Sequence, residues 1–240
     1  MGRAHEVRAA SMAKTAAVRS KANAKFAKTI YMAAKLGFDP ASNTTLKLEI
    51  DKANKANVSK DVINRAIERA KGGNEEAYIS VRYEGFGPNN SLFIVDCLTD
   101  NPNRTFTEIR TIFNKCGFKL GQDGSVVHMF QEKAVFSFEN FELDQVIEGV
   151  LEKDINIEDA TEEDGIVSVF ADAKSYGELR DALTSLFPDI KFLEDHIAWI
   201  PTVEATLTTD KDREHLERFR NLLDENDDVQ EMYTNVVNSK

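Results

Sequence analysis

Five lysines near the start of the chain have the spacing of one helix face. On a helical wheel, Lys14, Lys21, Lys25, Lys28 and Lys35 fall within about 80°. Lysine binds phosphate by Coulomb attraction and counterion release, without reading sequence. The stripe therefore predicts nucleic-acid binding, although a solvated charged face is the other interpretation. The predicted binding residues are Arg3, Arg8, Lys14, Arg19, Lys21, Lys25, Lys28 and Lys35.

A second polar segment, residues 98–105, follows a predicted buried strand and leads into a predicted helix, at whose start backbone N–H groups point outward. We expect Asn103 or Thr105 to cap that helix, with Asp100 and Asn101 ordering the turn. In one interpretation, this segment is only a capped loop with a structural role. The other is a contact surface for a phosphate backbone or a ribosomal partner, anchored by Arg104. The candidate contact residues are Asn101, Asn103, Arg104 and Thr105.

Residue patterns typical of catalysis are missing from the sequence. The four histidines are scattered without metal-ligand spacing, and Cys97 and Cys116 form no metal motif. No phosphate-binding P-loop, GxGxxG or nucleophile-elbow motif occurs. We therefore expect no enzymatic activity, no cofactor, no metal and no small-molecule substrate. A hydrolase with an acidic cleft is the alternative, but no acid/base pair can be named for it.

The charge of the chain is divided unevenly along its length. Residues 1–73 hold 15 basic and 6 acidic residues, a net charge of +9, whereas residues 74–240 hold 15 and 35, a net of −20. The sum is the formal net charge of −11. This asymmetry indicates a basic module that meets nucleic acid, either DNA or RNA, carried on an acidic body.

The basic third is predicted to be helical. A helix is expected over residues 8–36, with Phe26, Ile30 and Ala33 facing a core and Gly37 stopping the helix. A second is expected from an Asn43 or Thr44 cap to about residue 57, and a third from a Ser59 cap to residues 71–73. Three helices with short joints predict a basic helical domain over residues 1–74.

The acidic two-thirds alternates strands and helices. Strands are expected over residues 79–83, 92–98 and 125–130, with a helix over 105–115 whose inward residues are Phe106, Ile109, Ile112 and Phe113. Residues 134–200 have the βαββαβ order of a ferredoxin-like domain. A helix over 210–224 and a strand over 229–236 follow.

The predicted fold class is α+β, with an N-terminal all-helical domain followed by two α+β (ferredoxin-like) domains, one inserted in the other. The C-terminal tail after Pro201 contains one predicted strand and no neighbouring strand for it to pair with. We therefore expect this tail to return to the sheet of residues 78–130. The predicted domains are 1–74, 77–131 plus 202–240, and an acidic insertion over 132–201.

The apolar runs of the sequence are too short for a membrane helix, which needs about 20 residues. The first 25 residues lack the apolar region of a secretory signal. We expect a cytoplasmic monomer with no membrane contact. Residues 1–36 also have the basic, Ala- and Ser-rich composition of a mitochondrial transit peptide, which is the alternative for that segment.

The order and spacing of several short motifs resemble the YebC/PmpR family, with the closest match to its YeeN-like branch. The similarity spans essentially the whole chain, although the opening Gly2-Arg3-Ala4-His5 departs from the family's Gly-His-Ser-Lys-Trp-like start. The N-terminal motifs are Gly2-Arg3-Ala4, Lys25-Phe26-Ala27-Lys28, Ile30-Tyr31, Asp39-Pro40, Asn43 and residues 58–73. The later ones are Tyr83-Glu84-Gly85-Phe86-Gly87-Pro88, Leu98-Thr99-Asp100-Asn101, Asn103-Arg104-Thr105, Gly124-Ser125-Val126, Met129-Phe130 and Asp227-Asp228-Val229-Gln230.

The resemblance implies three domains and a cytoplasmic, non-enzymatic role in gene expression. Members are described as probable transcriptional regulators that bind DNA, and the family also includes a mitochondrial translational activator of cytochrome oxidase. Two functions therefore stay open. One is transcription regulation through DNA binding, and the other is a ribosome-associated translation factor that binds ribosomal RNA and relieves stalling.

Overall fold

The computed structural model describes residues 21–72 and 78–237. The chain forms two compact units. The first contains the described residues up to Asp123 together with Leu207–Met232, and the second contains Gly124–Thr206 and the described residues from Tyr233. The domain boundaries drawn from the sequence stay a prediction. Among the described residues, no helix is long and apolar enough to cross a membrane.

Three helices form the basic part of the first unit: α1 (residues 21–34), α2 (Thr44–Lys55) and α3 (Lys60–Lys71). Asn43, one of the two predicted candidates, caps α2 by accepting from the Leu46 N–H, and Ser59 caps α3 by accepting from the Val62 N–H, as predicted. The apolar faces of the three helices share one core. Its larger buried members are Ile30, Tyr31, Leu46, Val58 and Ile63. The part of the predicted first helix before residue 21 lies outside the described residues.

The first unit also contains a four-stranded sheet, with β1 (Ile79–Phe86), β2 (Leu92–Thr99), β3 (Lys119–Leu120) and β8 (Val229–Thr234), of which the residues up to Met232 belong to this unit. The strand order is β3-β1-β2-β8, with β1 antiparallel to both β2 and β3. The tail therefore supplies an edge strand to this sheet. Helices α4 (Pro102–Lys115) and α7 (Asp210–Asp224) contact each other and contribute to its core. A 3₁₀ turn at Pro88–Asn90 joins β1 to β2.

An aromatic cluster holds these two helices against the sheet. Phe93 of β2 lies 6.4 Å from Phe113 of α4 and 5.0 Å from Phe219 of α7, measured between ring centroids. Gly85 of β1 lets the helix approach, since a Cβ built there would lie 2.2 Å from Phe113 Cε1 and 2.7 Å from the Lys119 carbonyl oxygen. The glycine is therefore required by close packing.

Replacing Gly85 with alanine is expected to lower the free energy of unfolding by about 2 kcal/mol, because the new methyl group overpacks the core. Urea denaturation followed by circular dichroism measures the change. Gly72→Ala is the matched control, since a Cβ there meets nothing closer than 3.6 Å. Equal stability of the two variants would show that Phe113 moves aside at no cost.

The second unit has a ferredoxin-like arrangement. Its strands are β4 (Phe130–Glu139), β5 (Asp159–Glu163), β6 (Ile166–Asp172) and β7 (Phe192–Pro201), in the spatial order β5-β6-β4-β7. Helices α5 (Leu143–Leu151) and α6 (Tyr176–Leu186) complete the predicted βαββαβ sequence. Phe136, Phe138 and Leu183 lie in its core. The α+β fold class predicted from the sequence is confirmed.

One predicted strand and one predicted core residue are wrong. Residues 125–130 are not a strand: a 3₁₀ turn spans Val127–Met129, because the chain turns there before β4 begins to pair with β6 and β7. Phe106 is 44% exposed. It lies at the edge of the apolar stripe of α4, whereas Ile109, Ile112 and Phe113 are buried as predicted.

Candidate functional site around Asp228

Asp228 is a carboxylate buried within the first unit, immediately before β8, with a side chain only 6% exposed. Its backbone carbonyl accepts from the Leu98 N–H of β2 at 2.8 Å. Its Oδ2 accepts from the hydroxyls of Thr105 at 2.7 Å and Thr99 at 3.1 Å. Strand pairing and these hydroxyls hold the carboxylate at one position beside the start of α4.

Lys28 of α1 reaches this carboxylate from the helical part of the unit. Its Nζ donates to Asp228 Oδ1 at 2.6 Å, to the Asp227 carbonyl at 2.9 Å and to the Leu98 carbonyl at 3.3 Å. The ammonium group also lies 5.6 Å from the ring centroid of Tyr78. The Lys28 side chain is 13% exposed, so the structure places it inside the protein and not on an open phosphate-binding face.

Arg104 reaches the same carboxylate from the first turn of α4. Its Nη2 donates to Asp228 Oδ2 at 2.8 Å and to Asp100 Oδ1 at 2.9 Å. The loop itself is a capped turn, in which Asn101 Oδ1 accepts from the Arg104 N–H at 3.1 Å. The expectation that Asn103 or Thr105 caps this helix is wrong. Asn101 caps it instead, because Pro102 fits the first helical position and starts α4 earlier.

The charges of this cluster stabilise one another. Burial alone would raise the pKa of Asp228, but hydrogen bonds from Arg104, Lys28 and Thr105 outweigh burial and hold that pKa well below its usual range. The hydrogen bond to Asp228 in turn raises the pKa of Arg104. A carboxylate held ionised by two cations is a structural clamp and a poor proton donor at neutral pH.

Two neighbouring groups are also held in their neutral forms. Burial, and then the negative charge of Asp228, raises the pKa of the Cys97 thiol to about 12. Burial, followed by the effects of Cys97 and Asp228, raises the pKa of Tyr83 to about 12. Because a thiol attacks as its thiolate, Cys97 is not set up as a nucleophile.

An open cleft of about 500 Å³ borders the clamp. Five carboxylates line it, against the two cations Lys28 and Arg104 that already bind Asp228. The acidic residues are Asp100, Glu108, Glu225, Asp227 and Asp228. This charge balance disfavours phosphate. The contact-loop role of Asn101, Asn103, Arg104 and Thr105 stays a prediction, with Arg104 engaged in ion pairs and Thr105 buried.

The other predicted basic residues differ in their surroundings. Lys25 is partly exposed and lies 3.8 Å from Glu231, while the Nζ of the exposed Lys35 lies 5.2 Å from the ring centroid of Tyr31. Lys21 is half-buried. Arg3, Arg8, Lys14 and Arg19 lie outside the described residues. Nucleic-acid binding by these residues, and by Lys28, stays a prediction.

Asp228, the central residue of the site, was not predicted from the sequence to be functional. It appeared only within Asp227-Asp228-Val229-Gln230, one of the motifs that carry the family resemblance. Its partners come from two other such motifs, Lys25-Phe26-Ala27-Lys28 and Asn103-Arg104-Thr105. The available signal was therefore that two of these distant motifs contain a cation and the third contains a carboxylate that can pair with both.

Family models match nearly the whole chain. The TACO1/YebC protein N-terminal domain matches residues 3–73, and the TACO1/YebC second and third domain matches residues 78–236. The chain belongs to the TACO1/YebC family. The resemblance drawn from the motifs is confirmed. The family's N-terminal domain corresponds to the basic third, and Asp228 lies in the part matched by the second and third domains.

Relatives at full length agree with this assignment. A probable transcriptional regulatory protein from Alteromonas mediterranea is 45% identical, covering 99% of both chains. A probable transcriptional regulatory protein from Acholeplasma laidlawii is 44% identical, covering 100% of this chain and 99% of its own. The crystal structure of a conserved hypothetical protein from Aquifex aeolicus has a TM-score of 0.78 at 28% identity, covering 91% of this chain and 90% of that one. The family-level assignment to transcriptional regulation rests on the first two.

Proposed function

We propose that this protein is a non-enzymatic transcriptional regulator that binds DNA through its basic N-terminal helical region. The observation that carries the proposal is the charge of residues 21–72, which hold 11 basic and 5 acidic residues. Four cations on α2 and α3 are exposed and form no ion pair within the described parts of the chain: Lys47, Lys55, Lys60 and Arg65. Exposed cations without carboxylate partners are available for phosphate.

The negative charge of the second unit supports the proposal that nucleic acid binds to the basic helical region. Residues 124–206 hold 5 basic and 19 acidic residues, a net charge of −14. A field of this sign repels phosphate, so a polyanion is directed to the helical region. The clamp at Asp228 keeps α1 fixed on its own sheet, which gives the bound nucleic acid a defined orientation relative to that sheet.

The non-enzymatic part of the proposal rests on the chemistry of the buried site. Asp228 is fully engaged by four donors, and the Cys97 thiol has a raised pKa. Neither group can exchange a proton readily near neutral pH. The cluster therefore supports a positioning role.

A ribosome-associated translation factor is the second candidate, and one feature favours it. The exposed cations are distributed over two helices, and on α3 Lys60 and Arg65 lie about 140° apart around the axis. A recognition helix in a major groove presents its reading residues on one face. Cations spread in this way suit the irregular phosphate surface of a folded RNA.

Crosslinking the protein to nucleic acid in cells, followed by sequencing of the attached molecules, tests the proposal. Discrete promoter DNA is expected for a transcriptional regulator. Ribosomal RNA or tRNA as the dominant species would replace that function with the translational one. Recovery of neither nucleic acid above the level of an untagged strain would contradict both.

A further inference from the structure

A mostly apolar groove of about 420 Å³ runs between α2 and α3, away from the clamp at Asp228. Pro40, Ile50, Ile63 and Ile67 form its apolar surface, and Ile50 and Ile67 remain half-buried. The polar lining residues are Asn54, Lys60, Asn64, Glu68 and Lys71. All of these residues belong to the helical part of the first unit.

The groove follows the axis of α3. Its lining residues on that helix recur at three- and four-residue spacing, from Lys60 at the first position to Lys71 at the last. At 1.5 Å per residue, the two lysines are separated along the axis by about 16 Å. Glu68 accepts from Lys71 at 2.7 Å, so its charge is neutralised. Lys60 remains available to an anion.

The surroundings of the groove are preformed. Asn43 Nδ2 donates to the Ala33 and Gly37 carbonyls at 2.8 and 2.7 Å, which fixes the turn that carries Pro40. The Ser59 cap fixes the start of α3, where Lys60 lies. A site that is ordered before binding loses little entropy when a ligand enters.

We propose that this groove binds an unpaired nucleobase of the nucleic acid held by the helical region. The inference rests on the nucleic-acid binding of the proposed function and adds a subsite for single-stranded stretches of that ligand, since a base paired in a duplex cannot enter the groove. Aliphatic side chains can pack against the face of a base, and the exposed amides of Asn54 and Asn64 can donate to and accept from its polar edge. Lys60 can pair with the adjoining phosphate. The basic surroundings favour this occupant over a peptide that is not acidic.

The test uses a single strand of about 12 nucleotides, labelled with fluorescein, and the same strand in a duplex. Asn54→Ala combined with Asn64→Ala removes both amides without changing charge. The expected result is an approximately tenfold loss of affinity for the single strand, with no change in salt dependence and no change for the duplex. The matched control is Asn114→Ala with Asn221→Ala, two exposed helical asparagines of the same unit.

The outcomes separate the subsite from the proposed function. Equal affinities for the single strand in the variant and the control would overturn the subsite while leaving nucleic-acid binding intact. No binding of either strand by the wild-type protein would overturn the proposed function as well. Binding of an acidic amphipathic peptide to the wild type and not to the variant, with strand affinity unchanged, would assign the groove to a peptide. A thermal melt confirms that both double variants are folded.

Discussion

Asp228→Asn is expected to lower the free energy of unfolding at pH 7 by about 3 kcal/mol, because it leaves Lys28 and Arg104 around a neutral, buried amide. The side chain keeps its size, so the loss is electrostatic. The carboxylate oxygens accept from two cations and two hydroxyls, and an amide cannot accept at both ends. Urea denaturation of the full chain measures the change.

The dependence of this effect on pH follows from the lowered pKa of Asp228. A carboxyl group whose pKa is lower in the folded state stabilises the fold above its unfolded pKa, about 3.9. That contribution is lost as the pH falls through the folded value. The difference in stability between wild type and Asp228→Asn should therefore be constant from pH 7 to about 5 and narrow below about pH 4.

Asp227→Asn is the matched control, since Asp227 is the neighbouring residue, carries the same charge and is exposed. We expect it to change the free energy of unfolding by less than about 0.5 kcal/mol. A double-mutant cycle of Asp228→Asn with Lys28→Met isolates the ion pair, with an expected coupling of about 2 kcal/mol. A loss equal to that of Asp227→Asn would contradict the clamp.

Replacing Lys47, Lys55 and Arg65 together with alanine is expected to weaken DNA binding roughly 100-fold at low salt, through the loss of about three phosphate contacts. The slope of log affinity against log salt should flatten by about 2 to 3 units. These side chains are exposed, so stability should hardly change. Fluorescence anisotropy over a salt series measures both quantities. Lys28 is unsuitable for such a test, since its loss would also break the clamp.

The matched control is Lys153, Lys174 and Lys191 changed to alanine, which removes the same charge from exposed positions of the second unit. Because this unit is acidic, we expect the DNA affinity and the salt slope of this control variant to remain close to those of the wild type. Equal losses in the two triple variants would mean that net charge alone controls binding. That result would contradict an interface on the helical region.

Local sequence signals determined much of the fold. Ser59, and Asn43 with Thr44 as the alternative, were predicted as helix caps because a short polar side chain can satisfy a free N–H within three residues. The βαββαβ order of the second unit followed from changes in hydrophobic period. Such signals depend on neighbours close in the chain, so a single sequence carries them. Predictions failed where tertiary packing decided, as in the 3₁₀ turn at Val127–Met129.

The site depended on the tertiary structure. The sequence identified Lys28 and Arg104 as cations that could bind phosphate, but their common partner is 200 and 124 residues away. Periodicity carries no information about an ion pair across such distances. The ion pairs to Asp228 are formed only when α1, the start of α4 and the strand after Asp228 meet. The sequence determined which residues could bind an anion, and the packing of these elements decided that two of them bind Asp228.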